Sequence, residues 1–273
     1  MSADPPMPGS IDVTSCAADP PGRGVWPPWS RMFFQLLAAA TLSFPLMYCS
    51  SAVLWGQTGL AVLMAVCFGY LGAALVGISA FLVRPRSTVQ AEARTVVGLL
   101  GFRRPEPGRW SRRPLLVWCL VIPALLAAAD LGLALGLGAV WHPDSDAAQA
   151  AARAERAELF TRNGTFGAAV LMPFLVAAVP EEIRYRALVL LTQRVASALA
   201  VPRLVRWLVV AAAGSASVVL FALAHAPFGP MNVVTSAIGG AIYTGLALYT
   251  RSLWPAIMCH GLYDAAAVTL TIL

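Results

Sequence analysis

The chain has 273 residues, 59% hydrophobic and only 12% charged, with a mean hydropathy of +0.72. Soluble domains carry about 25% charged residues, so the composition argues against a water-soluble globule and excludes collagen-like, disordered and disulfide-scaffold chains. An all-α, polytopic integral membrane protein remains. The net charge of +6 is carried by Arg alone and gathers between apolar runs, which predicts membrane lipids and no nucleic acid as partners.

In chain order, residues 1–30 are rich in Pro, Gly and Ser and lack the basic start and apolar core of a signal peptide. They read as a disordered tail before a transmembrane helical domain over 31–273. A hydrocarbon core of about 30 Å needs roughly 20 apolar residues per helix. Seven runs meet this: about 32–55, 58–83, 115–141, 166–195, 206–226, 232–250 and 253–271. Arg84, Arg86, Arg94, Arg103, Arg104, Arg109, Arg112 and Arg113 stand against Glu92 and Glu106 in the 84–113 stretch, which predicts a cytoplasmic loop. The more acidic 142–165 stretch suits the outside, and Arg194, Arg203, Arg206 and Arg251 fall inside. The result is a multi-pass protein of the cell membrane with a cytoplasmic N-terminus. Cys16, Cys49, Cys67, Cys119 and Cys259 have no CxxC spacing, and the last four read as small core residues. Gly132 with Gly136, and the small residues of 211–217, read as helix-packing surfaces.

An ionisable group in hydrocarbon costs about 2.5–3.5 kcal/mol on insertion scales. Yet Asp130, Glu181, Glu182, Arg184, Arg186, His225, His260 and Asp264 lie within the predicted spans, which points to a polar intramembrane cavity. Pro180 frees one helix carbonyl and predicts a kink, with both glutamates in the following turn. Glu182 and Arg186, four apart, share a helix face and can pair. Glu181, rotated by about 100°, is left free to take a proton. His260 and Asp264 are also four apart, a spacing for two ligands of one ion or for a carboxylate that orients an imidazole. Ser215 and Ser217, which precede His225, leave a Ser–His pairing as a minor alternative, and Asp130 reads as a structural hydrogen-bonding group.

The series Glu181-Glu182-x-x-x-Arg186, Phe221-x-x-x-His225 and His260-x-x-x-Asp264 resembles the three motifs of the CPBP family, the CAAX-processing and bacteriocin-processing (Abi) intramembrane proteases. The resemblance covers about 166–273. It implies an intramembrane endopeptidase, metallo- or glutamate-type, acting on a lipidated, hydrophobic or membrane-anchored peptide or protein. In that family pattern Glu181 and His225 polarise the attacking water, Glu182 and Arg186 brace the site, and His260 and Asp264 stabilise the oxyanion or complete the polar shell. Asp264 stands where one branch carries Asn. The family's metal-dependent description would make Glu181, His225, His260 and Asp264 zinc ligands. The rival readings are a non-catalytic immunity or scaffold protein of the same fold and a proton-coupled transporter.

One expectation conflicts with the others. At 1.5 Å per residue, Glu181 falls about 22 Å into its span and His260 about 10 Å from the inner end of its own. His225 comes out at the outer end of the fifth run. The three meet only if that run starts deeper, is tilted or re-entrant, or begins with an interfacial stretch over about 203–212.

Overall fold

The computed structural model describes residues 28–54, 58–82, 89–105, 114–141, 170–198 and 202–272, with isolated positions between 147 and 158. The predicted tail up to residue 27 and most of the 142–165 stretch lie outside these. The described residues form helices and their connections, with no strand among them. Helix α1 is Pro28–Leu54, α2 Thr58–Leu82 and α3 Val89–Leu99. Pro114–Leu116, a π-helical turn at Val117–Val121 and Ile122–Val140 run on as α4. The rod α5 spans 170–198, α6 is Arg203–Ala224, α7 Pro230–Thr250 and α8 Trp254–Ile272. Each of the seven predicted runs therefore coincides with a long helix. Among the described residues, four segments are long and apolar enough to cross a membrane: Gly59–Phe81, Val117–Val140, Arg203–Phe228 and Pro230–Thr250.

The eighth element, α3, corrects the reading of 84–113 as a loop. It packs on α1 and α2, and its Glu92 is 1% exposed. That carboxylate accepts hydrogen bonds from Arg31, from Gln35 at 2.6 Å and from Ser79 at 3.0 Å. A buried carboxylate is tolerated when its oxygens are met in this way, so Glu92 ties three helices together rather than offsetting loop arginines.

Three segments predicted to share one side of the membrane do meet at one end of the bundle. Arg194 donates to the carbonyls of Gly98 and Arg251, and Arg103 Nε donates to the Arg251 carbonyl at 2.9 Å. Leu253 N donates to the Gly101 carbonyl at 2.9 Å. Arg251 caps α7 with φ 53°, a left-handed conformation that side chains other than glycine adopt at a cost. Its doubly hydrogen-bonded carbonyl holds it there.

Of the two small-residue surfaces, one packs and one does not. Gly214 lies against α7, where an added Cβ would meet Thr244 at 3.5 Å. Gly132 and Gly136 are exposed, with nothing within 4 Å of an added Cβ. The buried face of α4 is instead Pro123, Ala127 and Asp130.

Candidate active site

The site begins with an irregularity in α5. Pro180 lacks the N–H that an α-helix would use at that position, and a π-helical segment, Pro173–Ala178, lies just before it. A single α-helical turn, Val179–Glu182, follows, and then a second π-helical segment, Ile183–Ala187. Such wide turns relieve a broken hydrogen-bond ladder and re-aim the side chains beyond it. The predicted kink thus takes the form of π turns on both sides of the glutamate pair.

The two glutamates are used differently, as their rotation predicts. Glu182 is fully buried; its Oε1 lies 3.3 Å from Nη1 of the equally buried Arg186 and accepts from His260 Nδ1 at 3.0 Å. The Arg186 guanidinium sits 4.2 Å above the Phe221 ring and donates to the Gly240 carbonyl at 3.3 Å. Glu181 is partly open, with 25% of its side chain exposed. Its Oε2 is buried without a hydrogen-bond partner and lies 3.7 Å from His260 Nε2. Asp264 Oδ2 approaches the same nitrogen at 3.5 Å. His260 is therefore the hub: Nδ1 is committed to Glu182, and Nε2 faces two further carboxylates.

His225 enters from another direction. It ends α6, and its Nδ1 donates to the Phe221 carbonyl at 2.8 Å, which leaves Nε2 as the lone-pair nitrogen. The Phe221 ring lies 4.7 Å from the His225 ring and 5.6 Å from that of His260, so both imidazoles contact one aromatic wall. They line a common polar cavity of about 50 Å³ with Asp130, Asn232, Tyr243 and Asp264, room for roughly three water molecules.

The depth conflict resolves through helix register. Residues 203–212 form the first half of the unbroken helix α6. The Ser217 hydroxyl donates to the Tyr185 carbonyl at 2.7 Å and so fixes α6 against α5. From that bond Glu181 lies about 6 Å and His225 about 12 Å along their helices in the same direction. The predicted run 166–195 stopped short of the helix end at Ala198, and the run from 206 began after the helix start at Arg203.

All six predicted site residues thus gather in one region. The ring that Glu181 meets is that of His260, where the family pattern pairs it with His225. Tyr243 and the glycines beside it were missed. Gly239 and Gly240, adjacent in the middle of an apolar helix, were the available signal, since interior glycines mark close approach. Asp130 was noticed and read as structural; it accepts from the Tyr243 hydroxyl at 3.2 Å and also lines the cavity. The described residues hold no group of three or more His, Cys, Asp or Glu side chains disposed to hold a metal ion. His260 Nδ1 and His225 Nδ1 are both engaged, an arrangement that turns Nε2 of each ring toward water or a metal ion, and no step below passes through a metal.

A buried, water-sized cavity edged by carboxylates and imidazoles within a helical membrane protein suits an intramembrane hydrolase. Residues 163–266 match the family model described as type II CAAX prenyl endopeptidase Rce1-like. The match spans 104 of the 273 residues, so this part of the chain is similar to the CAAX prenyl endopeptidase family. The chain matches no curated protein and no solved structure.

Proposed function

We propose that the protein is a glutamate-type intramembrane endopeptidase that cleaves a lipidated, hydrophobic or membrane-anchored peptide or protein. The observation that carries this is the unequal use of the glutamates. Glu182 is held by Arg186 and His260, whereas Glu181 keeps a buried oxygen without a hydrogen-bond partner beside His260 Nε2.

In this reading water held in the cavity that His260 and His225 line reaches Glu181 beside His260 Nε2. Glu181 takes a proton from the water as its oxygen bonds to the scissile carbonyl carbon. The same proton passes to the amide nitrogen as the C–N bond breaks. Low-dielectric walls of Phe221 and Tyr243 strengthen every charge interaction along this path. Asp264, on the Nε2 side of His260, orients that ring, and Arg186 with Glu182 keeps it from turning. His260 stands about 9 Å along α8 from Trp254, and Trp254 lies at the arginine-bearing end. That end corresponds to the cytoplasmic side in a cell-membrane protein with a cytoplasmic N-terminus, as the arginine distribution supports.

The test compares peptide termini in membranes of cells expressing the wild type or Glu181→Gln at matched levels. New termini present only with the wild type are expected. Identical termini from both proteins would overturn the role of Glu181. A pH-gradient flux that required Glu181 would favour the transporter reading instead.

A further inference from the structure

We infer that Asp130, acting through Tyr243, is a positioning residue that fixes the His260 imidazole. The inference rests on the proposed function for its consequence but not for its geometry. The Tyr243 ring stacks on the His260 imidazole at 4.8 Å with only 15° between the planes. Phe221 meets the same imidazole edge-to-face at 89°. Nδ1 of His260 is tied to Glu182, which leaves the tilt of the ring to its aromatic neighbours, and Tyr243 sets that tilt only if it is itself held. Its hydroxyl is held by Asp130 Oδ2 at 3.2 Å, and both residues are 2% exposed.

A second observation shows that this contact is built into the backbone. A Cβ at Gly239 would lie 2.8 Å from Asp130 Oδ2 and 3.1 Å from the Tyr243 hydroxyl oxygen. Glycine inside a helix costs about 1 kcal/mol relative to alanine, yet only its bare Cα lets the carboxylate reach the hydroxyl. One residue on, a Cβ at Gly240 would crowd Phe221 at 3.0 Å and Arg186 at 3.2 Å. The pair Gly239 and Gly240 thus seats both the holder of Tyr243 and the brace of Glu182.

The geometry also separates Asp130 from the groups around Nε2. It reaches His260 through a tyrosine stacked on the ring face, whereas Glu181 and Asp264 meet the ring edge. What Asp130 supplies is an acceptor at a fixed point, and an amide oxygen can supply the same. Asp130 lies on α4, outside the matched residues 163–266, so a helix outside that segment contributes to the site.

The test uses the full chain in nanodiscs and two readouts. With an internally quenched farnesylated peptide, Tyr243→Phe and Asp130→Leu should lower kcat roughly tenfold to a hundredfold and leave KM within about twofold, as loss of alignment does. Asp130→Asn, which keeps an acceptor, should recover most of the loss. The chain has three histidines, so nitrogen-15 labelling of histidine, with His260→Gln for assignment, isolates the His260 ring. Tyr243→Phe and Asp130→Leu should each broaden or split that signal, and Asp130→Asn should leave it close to that of the wild type. An unchanged His260 signal in both Tyr243→Phe and Asp130→Leu overturns the inference. So does an Asn variant as impaired as Leu, which would mean that the charge acts directly. If the wild type leaves the peptide intact, the endopeptidase reading fails for that substrate, while the His260 signal still decides the tether. If Asp130→Leu does not fold, Tyr243→Phe and Asp130→Asn decide it alone.

Discussion

Arg186→Met tests whether the heart of the site is dry. The guanidinium and its partner Glu182 are both 0% exposed and 3.3 Å apart, so removing the cation leaves a buried carboxylate whose remaining hydrogen-bond partner is His260 Nδ1 at 3.0 Å. Breaking one member of a buried pair costs about 3–5 kcal/mol, including the contact with the Phe221 ring at 4.2 Å, worth about 2 kcal/mol when desolvated. Methionine refills much of the volume, so the loss is electrostatic rather than a cavity. The assay is reversible unfolding in mixed micelles of Arg186→Met, Glu182→Gln and the double variant. The double variant, which buries no charge at either position, should lie closer to the wild type than Arg186→Met does. A cost for Arg186→Met below about 1 kcal/mol, the value of a solvent-exposed pair, would refute the sealed site and the mechanism that depends on it.

Three further outcomes follow from the same structure. Gly261→Ala would drive a Cβ into the ring of Phe174, whose Cγ would lie 2.7 Å away. A loss of about 1–3 kcal/mol is expected, relieved by a second change, Phe174→Leu; an unperturbed unfolding midpoint for the single variant would contradict this packing. Glu92→Leu strands Arg31, Gln35 and Ser79 together and should cost about 3 kcal/mol. Because Glu92 lies outside the cavity, the kcat of the folded fraction should stay at the wild-type value, and a loss of kcat at retained stability would tie α3 to the site. Treatment with 1,10-phenanthroline should leave cleavage unchanged in the glutamate-type reading; loss of activity restored by added zinc would replace it with a metal-dependent one.

The parts of the site that were legible in the sequence share one physical property: each is expensive where it sits. Glu181, Glu182, Arg186, His225, His260 and Asp264 stand out because hydrocarbon tolerates so few charges, and helical spacing already pairs Glu182 with Arg186 and His260 with Asp264. What stayed hidden depended on partners far along the chain. Tyr243 meets Asp130 across 113 residues, and nothing local to an apolar α7 announces it. The helix α3 was obscured because it is short and lies in an arginine-rich stretch, where Glu92 looks like one more loop charge. Gly132 and Gly136 misled for the opposite reason. A four-residue spacing of glycines permits close packing, but the partner is decided by which face of α4 the buried Asp130 requires, and that face excludes them.

Glycine position turns out to be as informative as charge in this bundle. Gly239 admits Asp130 and Tyr243, Gly240 admits Arg186 and Phe221, and Gly261, next to His260, admits Phe174. Each places a charged or aromatic group against bare backbone where any other residue would hold it off. A charged side chain within an apolar run marks where a site can be, and a glycine in the facing helix marks where its partner can reach it. By that criterion the site extends beyond the matched segment, because the carboxylate that Gly239 accommodates belongs to α4. A segment cut to 163–266 would keep Glu181, Glu182, Arg186, His225, His260 and Asp264 and lose the acceptor that holds Tyr243 against the His260 ring. In the proposed endopeptidase the working unit is therefore the matched segment together with α4.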